Sequence, residues 1–173
     1  MDTPDRPAAD PSDHGPTGLA EPYLGPAHRI DAFIEPMTWG RSVYTVIRMP
    51  QALVDDARAL STKRVGGELE DIAVNFALTR APVLPDTFVW AGSSMLRRLR
   101  LEAGDPVTGF LAPVDPDHVP VPPDLVDSLA AAGLRDAWDS LPPSTRRKRL
   151  VPVDAAATAA TRARRLEALL DGL

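Results

Sequence analysis

The chain has no cysteine among its 173 residues. That absence excludes disulfides, thiol nucleophiles, iron–sulfur clusters and cysteine-ligated zinc. Only three histidines are present, too few for a histidine-based metal site to be expected. Lysine is nearly missing as well: 17 of the 19 basic residues are arginine, leaving Lys63 and Lys148. Asn75 is the only asparagine. Both biases match GC-rich bacterial coding, so the number of arginines says little about what arginine does here. Aromatics reach only 5%, which leaves few platforms for stacking bases. No run approaches the ~18 consecutive apolar residues of a membrane span. The opening residues also lack the basic–apolar pattern of a secretion signal. A soluble, cytoplasmic protein is expected.

What the chain does have is proline, 19 residues in all, and it punctuates the sequence. Six prolines fall in residues 1–29, with five acids against two arginines and no hydrophobic period. Such a segment cannot offset the entropy of ordering, so 1–29 reads as a disordered acidic tail with His14 and His28 solvated. Alternation over Ile30–Glu35 and the β-branched run Val43–Arg48 predict strands, with a turn from Pro36 to Ser42. Pro50 opens a short helix over 50–60 with Ala52, Leu53, Ala57 and Leu60 on one face. Arg64–Glu70 and Ala73–Thr79 predict paired strands whose tight loop lacks the usual glycine. Thr87–Trp90 is a further strand. Ser93 or Ser94 is expected to cap a helix through Leu99, and Val107–Ala112 is the last strand.

Short strands, tight turns and two brief helices predict a β-rich α+β fold: a small closed β-barrel of about six strands over residues 30–114. From Pro113 the character changes. A proline-rich connector leads to helical segments at 123–132 and 134–140. Leu141-Pro-Pro-Ser144 is a break that caps a helix ended by Pro152, and Asp154 caps a final alanine-rich helix. Residues 115–173 therefore read as a helical module packed on the barrel. Charge follows the same division. Residues 30–140 hold 16 acids and 10 bases, while residues 141–173 hold three acids and seven bases. Part of this opposition is expected to be satisfied internally, by the basic end docking against the acidic body.

The order of these features resembles a known bacterial arrangement. Arg64-Val-Gly-Gly67, Ala103-Gly-Asp-Pro-Val107 and Val121-Pro-Pro-Asp-Leu125 resemble a barrel domain of unknown function. Leu141-Pro-Pro-Ser-Thr-Arg-Arg147 and Thr161-Arg-Ala-Arg-Arg-Leu166 resemble the helical module of the bacteriocin-protection, YdeI/OmpD-associated family. The resemblance spans roughly residues 30–172. It implies a closed barrel with helices packed on it and an association with resistance to toxic peptides, and it implies no catalytic residues.

The residues themselves supply no catalytic set, no metal site and no cofactor fingerprint. His118 lies in the connector, where a solvated loop role is expected; Ser93 and Ser94 lack a nucleophile-elbow spacing. Asp105 reads as a strand-entry residue, and Asp115 with Asp117 falls short of a hard-cation shell. Arg162 shares the apolar stripe of Leu166, Leu169, Leu170 and Leu173, so it must meet an acid or a carbonyl, expected on the barrel, or anchor an anionic ligand. Trp138 is expected in the core. Trp39 and Trp90, at element ends, are expected in the core or at the seam between barrel and helices, with a ligand-facing role as the alternative. The candidate ligand-binding residues are thus Trp39, Trp90, Arg146, Arg147, Arg162 and Arg165, around a seam that takes a small molecule or peptide.

Three functions remain. The first is a non-catalytic binding protein that protects the cell from an antimicrobial compound, as the resemblance implies. The second is a nucleic-acid accessory protein using the C-terminal arginines, although a net charge of −5 opposes it. The third is an enzyme working on a small molecule in the cleft between barrel and helices.

Overall fold

A computed structural model describes residues 23–173. Most of the acidic N-terminal segment, with His14, lies outside the described residues. Its last part does not behave as a tail. Tyr23 bridges Val114, the Leu24 amide donates to the Pro113 carbonyl at 2.8 Å, and the first strand begins at His28. His28 is not solvated either: its Nε2 lies 2.7 Å from an Asp56 carboxylate oxygen.

The elements run β1 (His28–Phe33), β2 (Glu35–Trp39), β3 (Ser42–Arg48), α1 (Gln51–Ala59), β4 (Arg64–Leu69), β5 (Ile72–Ala77), β6 (Thr79–Ala81), β7 (Leu84–Trp90), α2 (Ser93–Leu99), β8 (Pro106–Pro113), then α3 (Pro123–Ala132), α4 (Arg135–Asp139), α5 (Pro143–Asp154) and α6 (Ala159–Asp171). The fold is mixed, with two four-stranded antiparallel sheets, ordered β1-β8-β4-β5 and β2-β3-β7-β6, and six helices among the described residues.

The expected closed barrel of about six strands is not found; eight strands make two separate sheets. The reason lies at two corners. The Ile34 amide donates to the Asp105 carbonyl and the Leu78 amide to the Lys63 carbonyl. At each point the backbone leaves one ladder and enters the other sheet, the usual way strands turn a corner between packed sheets. β1 then runs close to β3, and β5 to β7, without sharing a ladder.

Period-two alternation sorts the faces. Ile30, Val65, Leu69, Val107 and Leu111 of the first sheet meet Ile47 and Val89 of the second, together with Leu53 and Val54 of α1, in the main core. The register pairs Met37 with Tyr44 and Val46 with Trp90, so these residues lie on the second sheet's other face. There Met37, Val46, Ala81 and Phe88 form a separate buried cluster. A third cluster belongs to the helices: Leu125 and Leu129 of α3, Trp138 of α4, Leu150 and Val153 of α5, and Leu166 and Leu169 of α6.

Several local expectations are corrected. Pro36–Trp39, expected as a turn, lies in β2, whose edge position tolerates a residue without an N–H. The short strand β6 was not anticipated, being only three residues long. In α1 the buried face is Leu53, Val54 and Ala57, while Leu60 is exposed. Gly92, not a serine, precedes α2, and no side chain caps it. Pro152 lies inside α5 instead of ending it, and Thr158, not Asp154, caps α6 by accepting from the Thr161 amide. The β4–β5 turn does form without glycine, because Glu70 and Asp71 both adopt left-handed φ, +48° and +59°.

Candidate functional site

The second sheet brings Trp39 and Trp90 together. Their rings are nearly parallel, 2° apart in plane, with centroids at 6.4 Å. Tyr44 meets Trp90 edge-on at 5.2 Å, and Phe88 does so at 5.1 Å. Tyr44 is next but one to Val46, the residue opposite Trp90, so alternation alone puts both rings on this face. Phe88 is fully buried, whereas Trp39 is 43% and Tyr44 42% exposed. The result is an aromatic surface seated on a small core, with Trp90 as its centre. Tyr44 is the member that sequence reasoning missed. Its position on the same strand face as Val46 was the available signal.

The four arginines lie elsewhere, on α5 and α6, and no ring or ion contact joins them to the tryptophans among the described residues. Arg162 does find an acid, but on α3 instead of the barrel region. Its Nε donates to Asp124 Oδ2 at 2.5 Å and its Nη2 to Oδ1 at 3.0 Å. Its Nη1 donates to the Val153 carbonyl at 3.2 Å and lies 3.6 Å from Asp154. One guanidinium thus ties α6 to α3 and α5, matching its planar fork to a carboxylate. These hydrogen bonds hold the Asp124 carboxyl below its ordinary value and raise Arg162 above its own.

The other arginines mostly serve backbone carbonyls. Arg147 donates to the Pro116 and His118 carbonyls of the connector, and burial lowers its pKa. Arg165 donates to the Pro152 carbonyl and Arg149 to that of Gly172. These last two are end-of-helix acceptors with no intrahelical partner, which cations satisfy well. Arg146 stands 4.0 Å from Asp139. The expected docking of the basic end is therefore largely internal to the helical part and its connector. Among the described residues, the buried donors Trp138 Nε1, Arg146 Nε and Arg147 Nε keep no partner. Trp138 itself is in the core, as expected, with no exposed surface.

The remaining candidates take structural geometry. Asp105 accepts the Glu102 amide at 2.7 Å, and Asp115 accepts the Asp117 amide at 2.8 Å. Among the described residues no group of three or more potential ligating side chains could hold a metal ion, and no helix is long and apolar enough to cross a membrane. One feature was not anticipated at all: a cleft of about 470 Å³ beside the end of α1, lined by Arg58 of α1, Lys63 of the α1–β4 turn and Arg80 of β6.

The sequence model of the family described as "Bacteriocin-protection, YdeI or OmpD-Associated" matches residues 118–173, the connector's end and all of α3 to α6. No curated protein and no solved structure matches the chain.

Proposed function

We propose that this chain is a non-catalytic binding protein that takes up a small molecule or peptide and so shields a bacterial cell from an antimicrobial compound. The observation that carries the reading is the aromatic surface of Trp39, Tyr44 and Trp90. Two rings there are more than two-fifths exposed while packed on a third. Large rigid rings lose little conformational entropy on binding, and they present apolar faces with polar tips, which suits an amphipathic peptide. The match of residues 118–173 to the bacteriocin-protection family supports a peptide as the occupant and protection as the purpose.

The test uses the protein's own fluorescence. Trp138 is sealed in the helical core, so it stays constant, and any change reports Trp39 or Trp90. Purified bacteriocins that contain no tryptophan are titrated into the full chain and into Trp39→Ala. The expected result is a saturable spectral shift with at least one of them, an affinity roughly tenfold weaker in the variant, and improved survival of a sensitive host expressing the chain. No shift across the panel, with unchanged host survival, overturns the reading.

A further inference from the structure

The cleft beside α1 does not use the aromatic surface, and its chemistry is different. The α1–β4 turn, the corner between β5 and β6, and β7 form its walls. Arg58, Lys63 and Arg80 contribute three positive charges, and among the described residues no carboxylate lines it. This is a local inversion, because residues 30–140 as a whole carry 16 acids against 10 bases. Arg58 has an exposed partner on its own helix, Asp55 at 3.1 Å. Lys63 and Arg80 have no acid partner among the described residues. Two neighbouring cations without an acid partner among the described residues, beside a third that has one, raise the free energy of the empty site, and an anion entering it relieves that cost.

The remaining lining supplies hydrogen bonding and apolar contact. Thr87 is only 9% exposed, and its hydroxyl has no partner among the described residues. Ser61 adds a second hydroxyl, while Val54 and Leu78 offer apolar surface. A helix C-terminus ordinarily repels anions. Here the carbonyls of Asp56, Ala57 and Arg58 are already engaged by the amides of Leu60, Thr62 and Ser61, which weakens that repulsion. The position is also fixed. The Leu78 amide bonded to the Lys63 carbonyl at 2.8 Å holds the two walls together. A volume of about 470 Å³ lies within the range of small-molecule sites.

We propose that this cleft binds a small organic dianion with an apolar body, its charge held by Lys63, Arg80 and Arg58 and its body against Val54 and Leu78. The probes are phenyl phosphate, phthalate, inorganic phosphate and phenol, titrated separately into the isotope-labelled full chain and followed by amide chemical shifts. At least one of the two organic dianions should shift amides around residues 58–63, 78–80 and 87 saturably, with affinity falling as salt rises. Phenyl phosphate alone identifies a phosphate ester as the natural class, and phthalate alone a dicarboxylate. The double variant Lys63→Gln, Arg80→Gln, which alters only exposed side chains, should weaken binding at least about tenfold, whereas Lys148→Gln leaves it unchanged. The proposal is overturned if neither dianion saturates these amides or if the double variant binds like the parent. It is also overturned if phenol binds as well as phenyl phosphate, or if inorganic phosphate does so, which would make the cleft a purely apolar slot or a bare-anion site. None of these results depends on the aromatic surface, so this proposal and the protective reading fail separately.

Discussion

Removing the Arg162 side chain tests how the helical region is held together. Arg162→Ala deletes a two-pronged contact to Asp124 and a bond to the Val153 carbonyl. A hydrogen bond to a charged group contributes about 1.5–3 kcal/mol when shielded from water, but an exposed ion pair contributes only about 0.2–1 kcal/mol. Arg162 is 28% and Asp124 42% exposed, so solvent screening places this pair toward the lower range. We expect a coupling of about 1 kcal/mol in a double-mutant cycle of Arg162→Ala with Asp124→Ala, and a total loss of about 2 kcal/mol for Arg162→Ala alone. The single variant costs more than the coupling because the Val153 carbonyl and Asp154 lose their partner too.

Urea unfolding followed by far-ultraviolet circular dichroism, which reports the helices, provides the measurement. The pH dependence adds a second arm. The Asp124 carboxyl is held below its ordinary 3.8, chiefly by the Arg162 hydrogen bonds. A depressed folded-state value means that the contribution is complete above the ordinary value and is lost as pH falls through the depressed one. The gap between parent and Arg162→Ala should therefore be full at neutral pH and shrink progressively below 3.8. A cycle closing to within about 0.3 kcal/mol, as for independent sites, with a gap that ignores pH, would refute the reasoning.

Three further outcomes follow from the same structure. Gly67→Ala and Gly109→Ala should each cost about 3 kcal/mol in thermal unfolding, the upper end for overpacking; a Cβ there would stand 2.2 Å from the Phe110 carbonyl oxygen and 2.1 Å from that of Glu68. Asp71→Gly should stabilise by about 0.5–1 kcal/mol, the relief of a left-handed residue less the added freedom of the unfolded chain. Glu70 should be kept, since its carboxylate accepts from the Thr108 amide and hydroxyl. On heparin or duplex DNA the full chain should show little salt-dependent retention, because Arg147, Arg149, Arg162 and Arg165 are spent on internal carbonyls and acids; strong retention lost in high salt would restore the nucleic-acid reading.

Local pattern was enough for most elements but not for their closure. The helix over 123–132 was legible in full, because a proline at its first turn and a glycine just past its end are backbone signals. The tight β4–β5 turn was legible from alternation even without a glycine, since pairing on both sides forces the two intervening residues into left-handed conformations. Pro152 misled because a proline costs a helix one donated bond and crowding against the carbonyl four residues back, not the whole element. A helix held by Leu150 and Val153 in the core can carry one in its last turn. The corners at Ile34 and Leu78 were invisible because each depends on a carbonyl more than ten residues away, Asp105 and Lys63.

Composition and spacing by themselves determined the lack of thiol chemistry, the division between a strand-rich part and a helical end, the burial of Trp138, and the need of Arg162 for an acid or carbonyl. Those properties follow from residue chemistry and short periods, which act within a few turns of chain. Only the tertiary structure decided that the strands form two sheets, that Asp124 is the acid, that Tyr44 joins Trp39 and Trp90, and that Arg58, Lys63 and Arg80 share one cleft. Each of those is a meeting of residues far apart in sequence, and it exists only after backbone hydrogen bonds and core packing have fixed which faces turn toward one another.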